Sequence, residues 1–210
     1  WVIGGLALIV VLTLAVFGLP VGPSLARIFE GGLGSEAGIG RTFAKATPLI
    51  LTALGTVVAW RAGLFNIGGE GQFIMGGLLG AACFRLLPMS PAPVLILMAA
   101  VGGGLYALLA GWLQVRRGVP VVISTILLNF LAVQVLALLV TGPLKAATGG
   151  LPQTDYLPAG QMLPRLNPRT DLHTGALIAI LAAFVIWALL YHFRQGFEIR
   201  LVGAGPGAAR

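Results

Sequence analysis

Gly63-Leu64-Phe65-Asn66-Ile67-Gly68-Gly69-Glu70-Gly71-Gln72-Phe73 is the stretch on which the reading of this chain turns. It joins two short apolar runs, Ala46 to Trp60 and Gly71 to Phe84. Gly68, Gly69 and Gly71 surround one carboxylate, with Asn66 and Gln72 beside it. Clustered glycines weaken a helix, each by about 1 kcal/mol relative to alanine. Irregular backbone at membrane depth survives only where protein buries it or where it lines a watery cavity. Short, glycine-interrupted segments therefore point to a transport path, and an acid there is costly unless paired or functional. The plainer alternative is an interfacial loop whose Glu70 meets water or Arg61. A phosphate-binding loop does not fit, because the glycine spacing differs from G-x-G-x-x-G and no strand–turn–helix unit precedes it.

Composition decides what surrounds this stretch. Of 210 residues, 58% are hydrophobic and 9% charged, where a soluble domain carries about 25% charged. Together with a mean hydropathy of +0.98, this excludes a water-soluble globule, a disordered tail and a disulfide scaffold. The 31 glycines sit among Leu, Ala and Val, as in membrane helices that use glycine at their contacts. The net charge of +7 comes from basic residues scattered through apolar sequence, so nucleic acid is not an expected partner and the lipid bilayer is.

A bilayer core of about 30 Å takes about 20 apolar residues in helix. Six spans are expected, at about 1–19, 46–63, 72–87, 94–115, 119–141 and 173–192. The first lacks the basic start and small-residue exit of a cleaved signal peptide and reads as a retained helix. Residues 20–45 suggest a short interfacial helix followed by a glycine-rich turn, and five prolines between 143 and 168 exclude a long helix from 142–172. Basic residues divide almost evenly between the two sides. The dense pair Arg116–Arg117 places its loop, and the C-terminal end, in the cytoplasm by the positive-inside rule.

A second polar feature opens the span at 119. Pro120 suits a first helical turn, and Ser124, Thr125 and Asn129 form a polar stripe. Such residues either hydrogen-bond between helices or line a polar path. Gly76 with Gly80, and Gly102-Gly103-Gly104, read as close-packing surfaces. Cys83 reads as a small buried hydrophobe. His173 and His192 lie at opposite ends of one apolar run and share no ligand set. No Ser/His/Asp grouping, HExxH or Walker sequence occurs, which favours passage or packing over catalysis.

These residues also carry a resemblance. Pro48-Leu49-Ile50-Leu51-Thr52, the Gly63–Gln72 stretch and Ile123-Ser124-Thr125-Ile126-Leu127-Leu128-Asn129 resemble the inner-membrane permeases of bacterial ABC importers. Within that group the likeness is to the nucleoside and simple-sugar type of the branched-chain amino acid/ribose permease family. It continues through Gly142-Pro143-Leu144-Lys145 and Gly196-Phe197-Glu198-Ile199-Arg200 to Val202–Arg210. The resemblance implies an all-α polytopic transmembrane helix bundle with a broken helix near 63–73. It implies one permease domain over 1–210, in the inner (plasma) membrane, continuing into further spans after Arg210. It also implies a second permease subunit, two cytoplasmic ABC ATPase subunits that use ATP and Mg, and an extracytoplasmic solute-binding protein. No cofactor is expected in this chain itself.

Gly203, Pro206, Ala208 and Ala209 match the family's cytoplasmic coupling segment, which docks into the ATPase. Asn66, Glu70, Gln72 and Asn129 are the residues expected at the translocation path or its gate. The chain departs from the family where Pro120-Val121 stand for the usual Asn-Glu, and where Gly205 replaces an Asn before the coupling proline, losing a possible cap. Two rival readings remain: a secondary transporter or channel working without an ATPase, for which Glu70 is the candidate ion-coupling acid, and a membrane assembly subunit that moves nothing.

Overall fold

The computed structural model describes residues 2–147 and 150–205. Among them are eight α-helices and no named strand: α1 Val2–Val16, α2 Val21–Leu33, α3 Glu36–Arg61, α4 Gly69–Leu86, α5 Ala92–Arg117, α6 Val121–Thr141, α7 Gly175–His192 and α8 Arg194–Ala204. The chain is thus an all-α, multi-pass membrane protein. The helices α3, α5, α6 and α7 are long and apolar enough to cross a bilayer. The other two expected spans fall short of that standard. α1 has 15 residues, about 22 Å at 1.5 Å per residue. α4 begins with the polar turn Gly69-Glu70-Gly71-Gln72.

The packing is that of a membrane bundle. The three most deeply buried side chains among the described residues are small, with Ala132 and Ala179 at 0% exposure and Thr125 at 1%. Large apolar side chains point outward, among them Phe130, Leu138 and Phe184. In water these outward faces would cost about 25 cal/mol per Å²; against lipid tails they cost nothing, and small residues let the backbones approach.

The chain divides into two units. The first comprises Trp1–Thr47 and Pro164–Leu177. In it α1 packs on α2, and α2 buries no residue. Leu25, Ile28 and Phe29 share one exposed stripe of α2, as in a helix lying in the membrane interface. The expected glycine-rich turn shrinks to Gly34-Ser35, and α3 starts ten residues before the uncharged run that marked its span, at Glu36 rather than 46. Ser35 Oγ accepts from the Gly38 N–H at 3.0 Å, the N-cap bond that satisfies an orphan donor. Gly38 and Gly40 are buried within the helix. Charges at Arg41 and Lys45 mark the polar early turns of α3, not its absence.

The second unit comprises Pro48–Leu163 and Ile178–Arg210. Here α4 packs on α5 and α6, and α5 on α6. Gly76, Gly102 and Gly103 make the α4–α5 seam. A Cβ on Gly76 would stand 2.7 Å from the Ala99 carbonyl oxygen, one on Gly102 2.8 Å from Leu79 Cβ, and one on Gly103 2.9 Å from the Gln72 carbonyl oxygen. Gly80 is in ordinary contact, and Gly104 faces open space, so the expected surface narrows to three glycines. Among the described residues the proline-rich loop has no α-helix, as its prolines lead one to expect; Arg85 ties it to the end of α4 through Asp155 at 3.0 Å. The polar C-terminal stretch forms a helix, α8, over Arg194–Ala204; Pro206 lies outside the described residues.

Candidate functional site

The glycine-rich stretch forms a joint between α3 and α4. α3 ends in a Schellman motif. The Leu64 N–H reaches the Ala59 carbonyl at 2.9 Å and the Gly63 N–H reaches Trp60 at 3.0 Å. Gly63 takes φ +77°, a left-handed conformation that glycine adopts without strain. Residues 64–68 then run without helix to the start of α4 at Gly69.

Side chains hold this irregular backbone. Asn66 Oδ1 accepts from the Gly68 N–H at 2.8 Å and from Gln72 Nε2 at 3.1 Å. Asn66 Nδ2 donates to Gln72 Oε1 at 3.4 Å. From α6, Asn129 Oδ1 accepts from the Gly71 N–H at 2.9 Å, and Asn129 Nδ2 donates to the Ile67 carbonyl at 3.0 Å. Thr125 Oγ1 accepts from the Ile67 N–H at 3.3 Å while donating to Val121 at 2.7 Å. Backbone groups freed by the helix break must find such partners, because bilayer core offers none. Among the described residues Ser124, the third member of the polar stripe, bonds only to the Pro120 and Val121 carbonyls at the start of α6.

Close approach makes these bonds possible. A Cβ at Gly71 would lie 2.8 Å from Asn129 Oδ1 and 3.3 Å from the Tyr106 ring. The register also sets the joint's depth. The α4–α5 contacts pair Gly80 with Leu95, Gly76 with Ala99 and Gly103 with Gln72, so the two helices run antiparallel. From Tyr106, beside Gly71, α5 continues to Arg117, roughly three turns or about 16 Å further. On α6, Asn129 lies roughly two turns, about 12 Å, inside Val121. The Ile67–Gly71 part of the joint therefore sits well within the span of α5 and α6, at a level where an acid is costly. Glu70 is exposed there, and among the described residues its carboxylate has no ion-pair partner.

The family model for the permease component of branched-chain amino acid transport systems matches residues 38–210. The chain belongs to this family. The chain is 32% identical over 199 residues to the glucose ABC transporter permease protein TsgB13 of Haloferax volcanii, covering 87% of this chain and 52% of that protein. It is 31% identical over 205 residues to the guanosine ABC transporter permease protein NupP of Bacillus subtilis, covering 95% and 59%. The nucleoside ABC transporter permease protein NupB of Lactococcus lactis is 30% identical, over 87% of this chain and 53% of its own. The chain thus spans a little over half the length of these relatives. No solved structure matches it.

All four residues expected at the path gather at this joint, but they divide. Asn66, Gln72 and Asn129 spend their polar atoms on the joint itself, and Glu70 alone is exposed and unpaired there. Of the expected coupling residues, Gly203 lies in the last turn of α8 and packs on the joint: a Cβ there would overlap the Arg61 carbonyl oxygen and approach the Gly63 nitrogen to 3.0 Å. Pro206, Ala208 and Ala209 lie outside the described residues. Two contributors escaped the sequence reading. Tyr106 donates to the Leu128 carbonyl at 2.7 Å; a phenol within an apolar span was the available signal, since its hydroxyl must find an acceptor. The Gly63–Gly203 contact left no signal, because neither local pattern names the other.

Proposed function

We propose that this permease is the membrane subunit of an ATP-driven ABC importer that carries a polar small solute, a nucleoside or simple sugar, across the inner (plasma) membrane. The observation that carries the reading is Glu70, exposed at membrane depth and without an ion-pair partner among the described residues, on a joint whose amide side chains Asn66, Gln72 and Asn129 are all hydrogen-bonded to the joint itself. Family membership and the relatives named for glucose and nucleoside transport support the class. Glu70 faces the translocation path or its gate, and Asn66, Gln72 and Asn129 fix where it points. The extracytoplasmic binding protein delivers the solute, and a second permease subunit completes the path. ATP and Mg act in the cytoplasmic ATPase subunits, so this chain performs no catalysis.

Coupling needs a contact that differs between the outward and inward states. α8 offers one. It leads into Pro206, Ala208 and Ala209, the segment assigned to the ATPase, and its Gly203 rests on the Arg61–Gly63 end of α3. A push on α8 would thus reach the joint through backbone-to-backbone contact.

The test is solute uptake by the full-length permease reconstituted with its ATPase and binding-protein partners. Uptake of a nucleoside or sugar that requires ATP, and that falls in Glu70→Ala and Asn66→Ala, is the expected result. Wild-type uptake in both variants would sink the site assignment. Uptake by the permease alone, following an ion gradient, would replace the importer reading with that of a secondary transporter.

A further inference from the structure

Away from the joint's interior, three side chains from three helices meet at one end of the second unit. Arg200 on α8 lies 5.1 Å, and Arg61 at the end of α3 lies 5.8 Å, from the ring centroid of Tyr191 in the last turn of α7. Each guanidinium is attracted by the ring, but the two like charges disfavour one another. Among the described residues neither has a carboxylate within ion-pair range, and Glu198, the acid carried by α8, is held by Arg194 at 2.9 Å. Among the described residues, Arg200 Nε is buried with no hydrogen-bond partner. A buried, unbonded guanidinium nitrogen beside a second arginine is an unfinished anion site.

Its level identifies the anion. α3 and α7 both qualify as membrane spans, and both end here, where tyrosine and arginine meet headgroups. The antiparallel register brings the Arg116–Arg117 end of α5 to the same side, the side assigned to the cytoplasm. The spans below the cluster expose Trp60 on α3 and Phe184 on α7, apolar surface against which acyl chains can lie.

We propose that Arg61, Tyr191 and Arg200 bind the phosphate of an anionic phospholipid headgroup. Guanidinium forks match phosphate oxygens in pairs, and the Tyr191 hydroxyl supplies a further donor. Basic pockets between spans on the cytoplasmic side are where such headgroups bind. Because the Arg61 carbonyl touches Gly203, a lipid bridging Arg61 to Arg200 would also pin α8 to the α3–α4 joint. The site does not depend on which solute is carried, or on whether ATP drives its passage.

The test is native mass spectrometry of the full-length permease purified from mixed phosphatidylglycerol and phosphatidylcholine vesicles, counting retained lipids. Wild type is expected to retain phosphatidylglycerol about tenfold over phosphatidylcholine, equivalent to about 1.4 kcal/mol, and R61Q/R200Q is expected to lose the preference. R116Q/R117Q should keep it; equal loss there would reduce the effect to general surface charge and overturn the site. Displacement by millimolar inorganic phosphate would overturn the lipid assignment in favour of the free ion. A preference unchanged in R61Q/R200Q, with lipid displaced only when ATPase subunits bind, would make an acidic face of that partner the occupant. Should the double variant fail to fold, Arg200→Lys decides by the same ratio: it keeps the charge and loses the fork, and an undiminished preference overturns the site.

Discussion

The two ends of the α4 interface are held in opposite ways. Along its middle, α4 meets α5 through Gly76, Gly102 and Gly103, a seam of backbone against backbone. At its first turn it meets α6 through Asn129 and Thr125, which bond the peptide groups of Ile67 and Gly71. Glycine serves both, by different physics. In the seam it removes side-chain volume so that dispersion can act over a close approach. At the joint it lets the chain leave the helix and lets a side-chain amide reach the backbone. A seam of the first kind has one good arrangement. A joint built from hydrogen bonds can exchange partners, which suits a part that must differ between two states.

The sharpest way to break this contrast is to overfill the seam. Gly76→Leu should abolish accumulation of folded permease, since the Ala99 carbonyl that a Cβ would strike cannot rotate away. Gly77→Leu, one residue on and facing open space, should fold normally. Thermal unfolding in detergent and monodispersity on a sizing column measure both. Equal losses would mean that helix propensity, not the seam, sets the cost.

Weakening the joint should cost less and affect a different quantity. Asn129→Ala strips partners from the Gly71 N–H and the Ile67 carbonyl. An orphaned group costs about 1–3 kcal/mol when dry, whereas bonds between membrane helices average about 0.6 kcal/mol. A stability loss near the lower figure, with protection from hydrogen exchange lost at 66–71 and kept along α5, would show the joint to be wet. Loss spread evenly over α4 and α5 would show that joint and seam are one unit.

The seam was largely legible in the sequence, because closely spaced glycines in an apolar run have few other uses. The joint was legible as an anomaly but not as a structure. Asn66, Gln72 and Asn129 stood out for polarity alone, and polarity does not tell a path-lining amide from one consumed by the backbone. That difference depends on partners far apart in the chain, such as Gly71 with Asn129. The start of α3 was misplaced for a similar reason: absence of charge marks where a helix meets lipid, while the helix itself extends through Arg41 and Lys45.

Gly203→Ala probes the link between joint and α8. The added methyl has no room beside the Arg61 carbonyl, yet the contact lies at the end of a short helix, so α8 should lift with little loss of stability. ATP hydrolysis by the assembled complex should persist while uptake per ATP falls severalfold. Tight coupling in this variant would mean that movement reaches the joint by another route.

Glu70→Gln should have the smallest effect on the fold and the most specific effect on transport. The carboxylate has no ion-pair partner among the described residues, and its side chain is exposed. Replacing it by an amide of the same shape removes charge and little else. If the charge faces lipid, neutralising it should raise stability, by up to about 2.5–3.5 kcal/mol on insertion scales. If it faces a hydrated path, the melting temperature should stay level and uptake should fall. The two outcomes move different readouts in the same variant. A stabilised permease with undiminished uptake would remove Glu70 from the path and leave the joint as a purely structural break. Unchanged stability with impaired uptake would separate the two ends of α4 by role as well as by chemistry.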